Sequence, residues 1–457
     1  MIATLVILLI AGVAYYYGWR RALDKSGGKI SNLHSLPGHY AWYAALFCAG
    51  PALALWFGWS VFGDSVLKSV IFSRLPDDVA SQSPAVLNFF FADVKRLAAG
   101  LPTNTEPNAA MEAAASLYGR LKGIGTVAFV IGALALAVSL ALIAIGRVEI
   151  DFRARNKVEG WVTYGLLFTA AMSILTTAGI VFSVLFESLR FFQQVPPADF
   201  LFGLEWSPQT AIRSDQVGSS GAFGMIPLLT GTLMITLIAM LVAGPIGLAS
   251  AIYLSQYASP RFRAIAKPVM EILAGVPTVV YGFFAALTVA PFIRNFGESI
   301  GLSVSSESAL AAGGVMGIMI IPFVSSLSDD AISAVPQSLR DASLGLGATT
   351  AETISKVVVP AALPGIIAGF LLAISRAIGE TMIVVMAAGL AANLTANPLE
   401  AVTTVTVQIV TLLVGDQEFD SAKTLSAFAL GLVLFVATLF LNILALHVMR
   451  TYREKYD

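Results

Sequence analysis

Long apolar runs separated by short polar linkers dominate this 457-residue chain. Most runs have the length, about 20 residues, that an α-helix needs to cross the hydrocarbon core of a bilayer. We therefore expect an all-α polytopic membrane protein. The pattern predicts nine spanning helices, at residues 2–19, 40–62, 124–145, 161–184, 226–254, 268–293, 310–327, 363–388 and 425–448.

Polar stretches between these runs predict the extramembrane parts. Residues 64–122 hold four prolines and no long apolar run, which predicts a long loop with one or two short helices. Residues 186–222 predict a second polar loop. Segment 399–414 is moderately apolar, and the sequence leaves open whether it spans or re-enters the membrane. We expect an N-terminal domain, 1–160, with about three extra transmembrane helices, followed by a core domain, 161–457.

Two of the apolar runs contain helix-breaking or charged residues. Gly275 and Pro277 lie in the sixth run, and we expect them to kink it. Glu271, just ahead of them, is either a gate or a structural contact. The eighth run carries Arg376 and Glu380, which would share one face of a continuous helix. A charge near the bilayer centre costs at least about 2.5–3.5 kcal/mol, so both side chains must face protein or water.

Lysine and arginine residues set the expected orientation, because short cytoplasmic loops are enriched in positive charge. With alternate linkers placed inside, the inner loops carry 16 of these residues and the outer loops 10. This arrangement puts residues 64–122 outside and residues 329–362 inside. The first run is followed, not preceded, by Arg20 and Arg21, so we expect an uncleaved anchor rather than a cleaved leader.

Composition narrows the classes of function. Hydrophobic residues make up 57% of the chain and charged residues 12%, against about 25% charged in globular proteins. The formal net charge of −1 argues against nucleic acid as a partner. Cys48 is the single cysteine, and the three histidines, His34, His39 and His447, are far apart. We therefore expect no disulfide within the chain, no metal site and no bound cofactor.

The polar segment 329–362, which we call the coupling loop, contains a motif at fixed spacing. Small side chains at Ala342 and Ser343 let another protein approach the backbone closely, and Gly347 permits a turn between two short helices. Pro360 is expected to stop the second helix and direct the chain back to the membrane. The motif indicates a docking element for a cytoplasmic partner. Its members are Asp341, Ala342, Ser343, Gly347, Val357, Val359 and Pro360.

This motif resembles the EAA signature of ABC-importer permeases, with Asp for Glu, Ser for Ala, and Val for Ile and Leu. The stretches FLFGLEWSP, EILAGVPTVVYGFF and SRAIGETM resemble phosphate-specific ABC transporter permeases, and the last is most similar to the PstC type of permease. The similarity covers about residues 200 to 450. It implies a six-helix core of the ABC-importer type I fold, preceded by an extension found in a subset of such proteins.

The resemblance also implies partners, a substrate and a location. The partners are a second permease (PstA-like), two copies of an ATPase (PstB-like) and a periplasmic phosphate-binding protein (PstS-like). The substrate is inorganic phosphate, and the location is the bacterial inner membrane. The coupling loop would dock the ATPase, and Arg376 with Glu380 would form part of the substrate path. The chain has no GxxxxGK[ST] loop, so we expect ATP hydrolysis on a partner and no catalytic residue here.

Alternatives stay open on the sequence alone. In one alternative, the chain transports a different anion, namely sulfate, molybdate or phosphonate. In another, the chain is a membrane scaffold that senses phosphate status. Arg376 and Glu380 are either a switch, in which Arg376 alternates between Glu380 and phosphate, or a structural ion pair that fixes helix register.

Overall fold

The computed structural model describes residues 2–76, 84–103, 105–210, 220–414 and 420–452. These residues are mainly helical, and the chain divides into two compact units, residues 1–175 and 176–457. The boundary between the units falls inside the helix Ala154–Gln194. The same helix contains the domain boundary expected after residue 160.

Unit 1, residues 1–175, is a helical bundle that packs through small side chains. Its helices are α1 Ile2–Lys25, α2 Pro37–Phe72, α3 Pro84–Ala98, α4 Ala109–Gly146 and the first part of α5 Ala154–Gln194. Small residues allow helix backbones to approach closely, which matters in lipid because apolar burial does not drive helices together there. Alanines recur at helical spacing on the buried faces, at Ala11, Ala14, Ala41, Ala44, Ala133, Ala137, Ala141 and Ala144.

The expected loop at 64–122 is wrong in its extent, because two membrane helices continue into it. α2 has 36 residues and α4 has 38, whereas about 20 residues cross the hydrocarbon core. The prediction of a short helix in this segment agrees with α3. Residues 77–83 and 104 lie outside the described residues.

Apolar and charged contacts fix α3 against the extended ends of α2 and α4. Phe91 and Val94 of α3 belong to a buried cluster with Leu67, Ile71 and Tyr118. Asp64 of α2 accepts hydrogen bonds from Lys95 of α3, and from Tyr118 and Lys122 of α4. The part of unit 1 that the sequence suggests is a loop is therefore a packed helical extension.

Unit 2, residues 176–457, contains the end of α5, a two-stranded sheet and the remaining helices. Strands β1 Trp206–Thr210 and β2 Ser220–Phe223 pair antiparallel, with Trp206 opposite Phe223. This hairpin and the end of α5 replace part of the polar loop expected at 186–222, of which residues 211–219 lie outside the described residues. The helices are α6 Pro197–Phe202, α7 Ile226–Ile252, α8 Pro260–Ala274, α9 Thr278–Phe284, α10 Ala290–Ser299, α11 Ala309–Ser333, α12 Gln337–Gly345, α13 Thr350–Thr353, α14 Val359–Ile378, α15 Met382–Ala387, α16 Val405–Leu413 and α17 Ala422–Tyr452.

Single π-helical turns extend or join several of these helices. The turn Tyr253–Tyr257 extends α7, Ala285–Val289 joins α9 to α10, and Ile354–Val358 joins α13 to α14. Such turns insert one extra residue into a helix without ending it. α9 and α10 together, and α13 and α14 together, are therefore long enough to be single membrane spans.

Nine helices in the described part of the chain are long and apolar enough to cross a membrane, which agrees with the nine predicted. Six of these begin at or after Ala154 and three precede it, as expected for a six-helix core with an N-terminal extension. The prediction of the sixth span at 268–293 is wrong, because this span lies at Thr278–Ser299. Pro277 has no N–H and disfavours a helical residue before it, so the chain breaks there instead of kinking.

The α7–α11 contact in unit 2 depends on a pair of glycines one helical turn apart. A Cβ on Gly313 would lie 2.7 Å from Ile238 Cβ and 3.1 Å from the Ile235 carbonyl oxygen. A Cβ on Gly317 would lie 2.9 Å from the Ala239 carbonyl oxygen. These distances are too short for a methyl group, so this GxxxG sequence allows the two backbones to meet.

We expect Gly313→Ala to destabilise the folded protein by about 1–3 kcal/mol, because the methyl group must displace the backbone of α7. The measurement is the thermal unfolding midpoint of the purified chain in detergent. Gly314→Ala is the matched control, since a Cβ on Gly314 meets no atom within 4 Å. Equal midpoints for the two variants would contradict this account of the contact.

Candidate functional site: the coupling loop and a charged helix break

The coupling loop is a helix–turn–helix whose turn is defined by backbone hydrogen bonds. Gly347 has φ +90°, and its N–H donates to the Leu344 carbonyl, while the Ala348 N–H donates to the Ser343 carbonyl. These two bonds form a Schellman motif, which ends a helix at a glycine in the left-handed conformation. The predicted turn at Gly347 is therefore confirmed, as is the short helix before it, whereas the helix after it continues to Ile378 and is not short.

The second helix of the loop, α13, begins with a capping box. The Glu352 N–H donates to Thr349 Oγ1, and the Thr349 N–H donates to Glu352 Oε2. A side-chain contact of 2.9 Å between the hydroxyls of Ser343 and Thr353 joins the two helices. Gly347, which ends the first helix, and Thr349, which caps the second, thus lie two residues apart, and together they fix the conformation of the turn.

One side of the coupling loop is packed and the other is exposed. Val335 and Val358 join a buried cluster with Ile332 and Ala251. On the opposite side, Leu346 is 90% exposed. The motif residues Asp341, Ala342 and Gly347 are exposed, and Leu344 is 46% exposed. A helix pair with exposed small and apolar residues has the form of a docking surface.

The motif residues at the end of the loop do not have the expected arrangement. Val357 lies in the π-helical turn, and Val359 and Pro360 lie in the first turn of α14. Pro360 does not stop the helix, because the chain stays helical from Thr350 to Ile378. A proline is accepted near this position because the wider π turn before it changes the hydrogen-bond ladder that proline would otherwise break.

Arg376 and Glu380 lie at a helix break, and not on one face of a continuous helix as predicted. α14 ends at Ile378, Gly379 caps it, and α15 starts at Met382. Arg376 is in the last turn of α14, so the predicted span 363–388 is also wrong. The described residues contain no ion pair between Arg376 and Glu380.

Each charged residue at the break has its own surroundings. The Arg376 guanidinium is exposed and lies 5.5 Å from the centre of the Phe323 ring on α11, a cation–π contact. Glu380 Oε1 accepts the Met382 N–H at 3.1 Å and so caps α15. The break therefore presents a guanidinium next to an aromatic ring, and this guanidinium has no carboxylate partner in the part of the chain that the structure describes.

Segment 399–414 makes hydrogen bonds to the helix break and to α7. It contains α16, which at nine residues is too short to cross a bilayer. Thr406 Oγ1 donates to the Glu380 carbonyl at 2.9 Å, and the Val405 N–H donates to Thr232 Oγ1 of α7. A Cβ on Gly231 would lie 2.1 Å from the Thr403 carbonyl oxygen, so the segment packs directly on the α7 backbone.

A second charged cluster, which the sequence analysis does not predict, lies where α8 meets α11. Asp329 of α11 is 5% exposed. Arg263 Nη2 donates to both of its carboxylate oxygens at 3.0 Å, and Lys267 Nζ donates at 2.9 Å. The hydrogen bond to Asp329 raises the pKa of Lys267. Arg263 and Lys267, four residues apart on α8, were the sequence signal for a shared anionic partner.

This cluster borders a cavity of about 210 Å³. Phe323 lies on the cavity wall as well as under Arg376, so the cavity and the helix break share one side chain. Glu271 also lines this cavity. The sequence alone leaves two roles for Glu271, a gate or a structural contact. The polar lining residues are Lys267, Glu271, Ser325, Ser326 and Asp329.

In the described part of the chain, no group of three or more His, Cys, Asp or Glu side chains is arranged to hold a metal ion. The polar side chains of the helix break and of the cavity are cations, carboxylates and hydroxyls. Guanidinium and ammonium groups bind oxyanions through charge-assisted hydrogen bonds. A multi-pass membrane protein with such groups beside broken helices, and with an exposed helix pair between two of its spans, has the parts of a transport subunit.

The chain belongs to the family of binding-protein-dependent transport system inner membrane components. The model of that family matches residues 243–454, and a model described as phosphate ATP-binding cassette transporter matches residues 4–176. The chain is thus an ABC transporter permease subunit. The resemblance to permeases of the PstC type is confirmed.

Two permease relatives agree with this assignment. The probable ABC transporter permease protein YqgH of Bacillus subtilis is 33% identical over 295 residues, which cover 64% of this chain and 91% of that protein. The phosphate transport system permease protein PstC of Mesorhizobium japonicum is 30% identical over 268 residues, covering 55% and 77%. A chain from a solved inward-facing methionine ABC transporter is 16% identical, covers 50% of this chain and 95% of its own length, and has a TM-score of 0.37.

Proposed function

We propose that this chain is a permease subunit of an ATP-driven importer of inorganic phosphate in the bacterial inner membrane. The observation that supports phosphate as the substrate is twofold: a family model described as phosphate ATP-binding cassette transporter matches residues 4–176, and a phosphate transport system permease protein is 30% identical over 268 residues. The site supports it, because Arg376 offers a permanent positive charge at a helix break and arginine suits phosphate oxygens.

Energy for transport would come from an ATPase that docks on the coupling loop. The exposed Leu346 and the exposed small residues of α12 support this role, and the tight turn at Gly347 gives the surface a fixed shape. A second permease would complete the path, and a binding protein would deliver phosphate from outside. In this arrangement the coupling loop faces the cytoplasm.

The test is reconstitution of the complete transporter in liposomes, with ATP inside and the binding protein with radiolabelled phosphate outside. We expect ATP-dependent uptake that unlabelled phosphate suppresses and that excess sulfate, molybdate or phosphonate leaves unchanged. Suppression by one of those anions would reassign the substrate. A complex that hydrolyses ATP and moves no phosphate would instead support a scaffold or sensor.

A further inference from the structure

The cavity between α8 and α11 has the features of an anion site in which a carboxylate of the protein occupies the place of the ligand. We infer that Arg263, Lys267 and Ser325 form an oxyanion subsite that the transported anion enters by displacing Asp329. This inference rests on the proposed transport of an oxyanion. It concerns residues separate from Arg376 and Glu380.

The geometry around Asp329 is that of a bound oxyanion. Its two oxygens accept three charge-assisted hydrogen bonds from Arg263 and Lys267, at 2.9 to 3.0 Å. Carboxylate and phosphate present the same kind of acceptor oxygens to arginine and lysine. The same donors that bind the Asp329 carboxylate could therefore bind the oxygens of a phosphate ion.

A buried hydroxyl nearby lacks a partner. Ser325 is 1% exposed and lines the cavity, and its Oγ makes no hydrogen bond among the described residues. A buried polar group without a hydrogen-bond partner is unfavourable. An oxyanion in the cavity would accept a hydrogen bond from this hydroxyl and so remove that unfavourable term.

The space suits a small hydrated anion. The cavity of about 210 Å³ is several times the roughly 30 Å³ that one water molecule occupies in the liquid. Its wall includes Phe323, whose ring contacts Arg376. Phe323 thus contacts the guanidinium at the helix break and lines the same cavity as Lys267, so an anion that leaves Arg376 past this ring would reach the second site.

Asp329 explains why such a site need not trap the anion. Two cations alone in a partly buried cavity would hold phosphate tightly. With Asp329 and Glu271 beside them, the cations have acceptors to return to when the anion leaves. Asp329 also keeps α8 attached to α11 when no anion is present, so the subsite would be closed at rest.

The experiment measures anion binding directly, without transport. The full chain carrying Asp329→Asn is purified in detergent, and equilibrium dialysis with radiolabelled phosphate and radiolabelled sulfate gives the affinities. We expect the variant to bind phosphate at least about tenfold more tightly than the wild type, because the competing carboxylate is lost. Adding Lys267→Gln should abolish the gain.

Asp330→Asn is the matched control, since Asp330 is the next residue, is exposed and changes the net charge equally. We expect its phosphate affinity to change far less than that of Asp329→Asn, because Asp330 acts on Lys267 through its charge, whereas Asp329 accepts the hydrogen bond from Lys267. A purely structural cluster predicts lower stability for Asp329→Asn and no new binding, and that result would overturn the subsite. Tighter binding of sulfate but not phosphate would support the subsite and contradict phosphate as the substrate.

A second variant covers the case in which Asp329→Asn does not fold. Lys267→Gln leaves Asp329 with Arg263, so we expect a folded protein. Uptake by the complete transporter should be about tenfold slower at saturating phosphate with an unchanged KM, and Lys267→Arg should restore the rate. A normal maximal rate for Lys267→Gln would overturn the proposal.

Discussion

Leu346→Asp is expected to abolish ATP-driven uptake while leaving the amount of folded protein unchanged. Leu346 is 90% exposed and so contributes almost nothing to packing within the chain. In a docked complex the same side chain would be an apolar anchor at the tip of the coupling loop. Losing an anchor of this kind costs about 2 kcal/mol or more, which corresponds to about 30-fold weaker docking.

The measurements are copurification of the ATPase with the permease and uptake in reconstituted vesicles. Leu101→Asp is the matched control, because Leu101 is an exposed leucine between α3 and α4, outside the membrane spans and the coupling loop. Leu346→Met should retain most of the activity, since methionine keeps an apolar side chain of similar size. Normal copurification of the ATPase with Leu346→Asp would place the docking surface elsewhere.

Arg376→Gln is expected to reduce phosphate uptake at least about 100-fold with little loss of folded protein. The guanidinium is exposed, lies over the Phe323 ring and forms no ion pair among the described residues, so its removal leaves none of their carboxylates unpaired. If Arg376 lines the transport path as proposed, the same change removes a positive charge that binds the oxyanion there through charge-assisted hydrogen bonds, which are the strong ones.

Glu380→Gln should have a much smaller effect, because a glutamine oxygen still accepts the Met382 N–H and keeps the cap of α15. Uptake and the yield of folded protein are measured for both variants. Arg294→Gln is the control, since the Arg294 side chain on α10 is 42% exposed and its Nε lies 3.9 Å from Glu298 Oε1. If Arg376→Gln is unstable and the double variant with Glu380→Gln recovers uptake, the two residues are structural.

Local signals were enough to predict the number of spans and the turn of the coupling loop, although the bounds of the sixth and eighth spans were wrong. Hydropathy over about 20 residues identifies a span wherever it lies in the fold, because the bilayer and not the neighbouring helices selects it. Gly347 is predictable for a similar reason. A helix that ends in a left-handed residue needs glycine there, and this requirement is visible within a few residues of sequence.

The helix break and the cluster at Asp329 depend on contacts that no local pattern contains. Nothing in SRAIGETM requires the helix to end at Ile378, and the hydrogen bond that holds the Glu380 carbonyl comes from Thr406, 26 residues later. Asp329 and Arg263 are 66 residues apart. The sequence draws attention to charged residues in apolar runs, but it does not indicate which charged residues meet in the fold.

The Schellman motif and capping box of the coupling loop affect how tightly any partner can bind to it. Fixing one residue of backbone costs roughly 1–2 kcal/mol of conformational entropy at 25 °C. Here Ser343 to Glu352 are already ordered by their own hydrogen bonds, so that cost is met when the chain folds. A partner that docks on this preorganised surface loses little further entropy in the loop, and a small contact area is then sufficient for a stable complex.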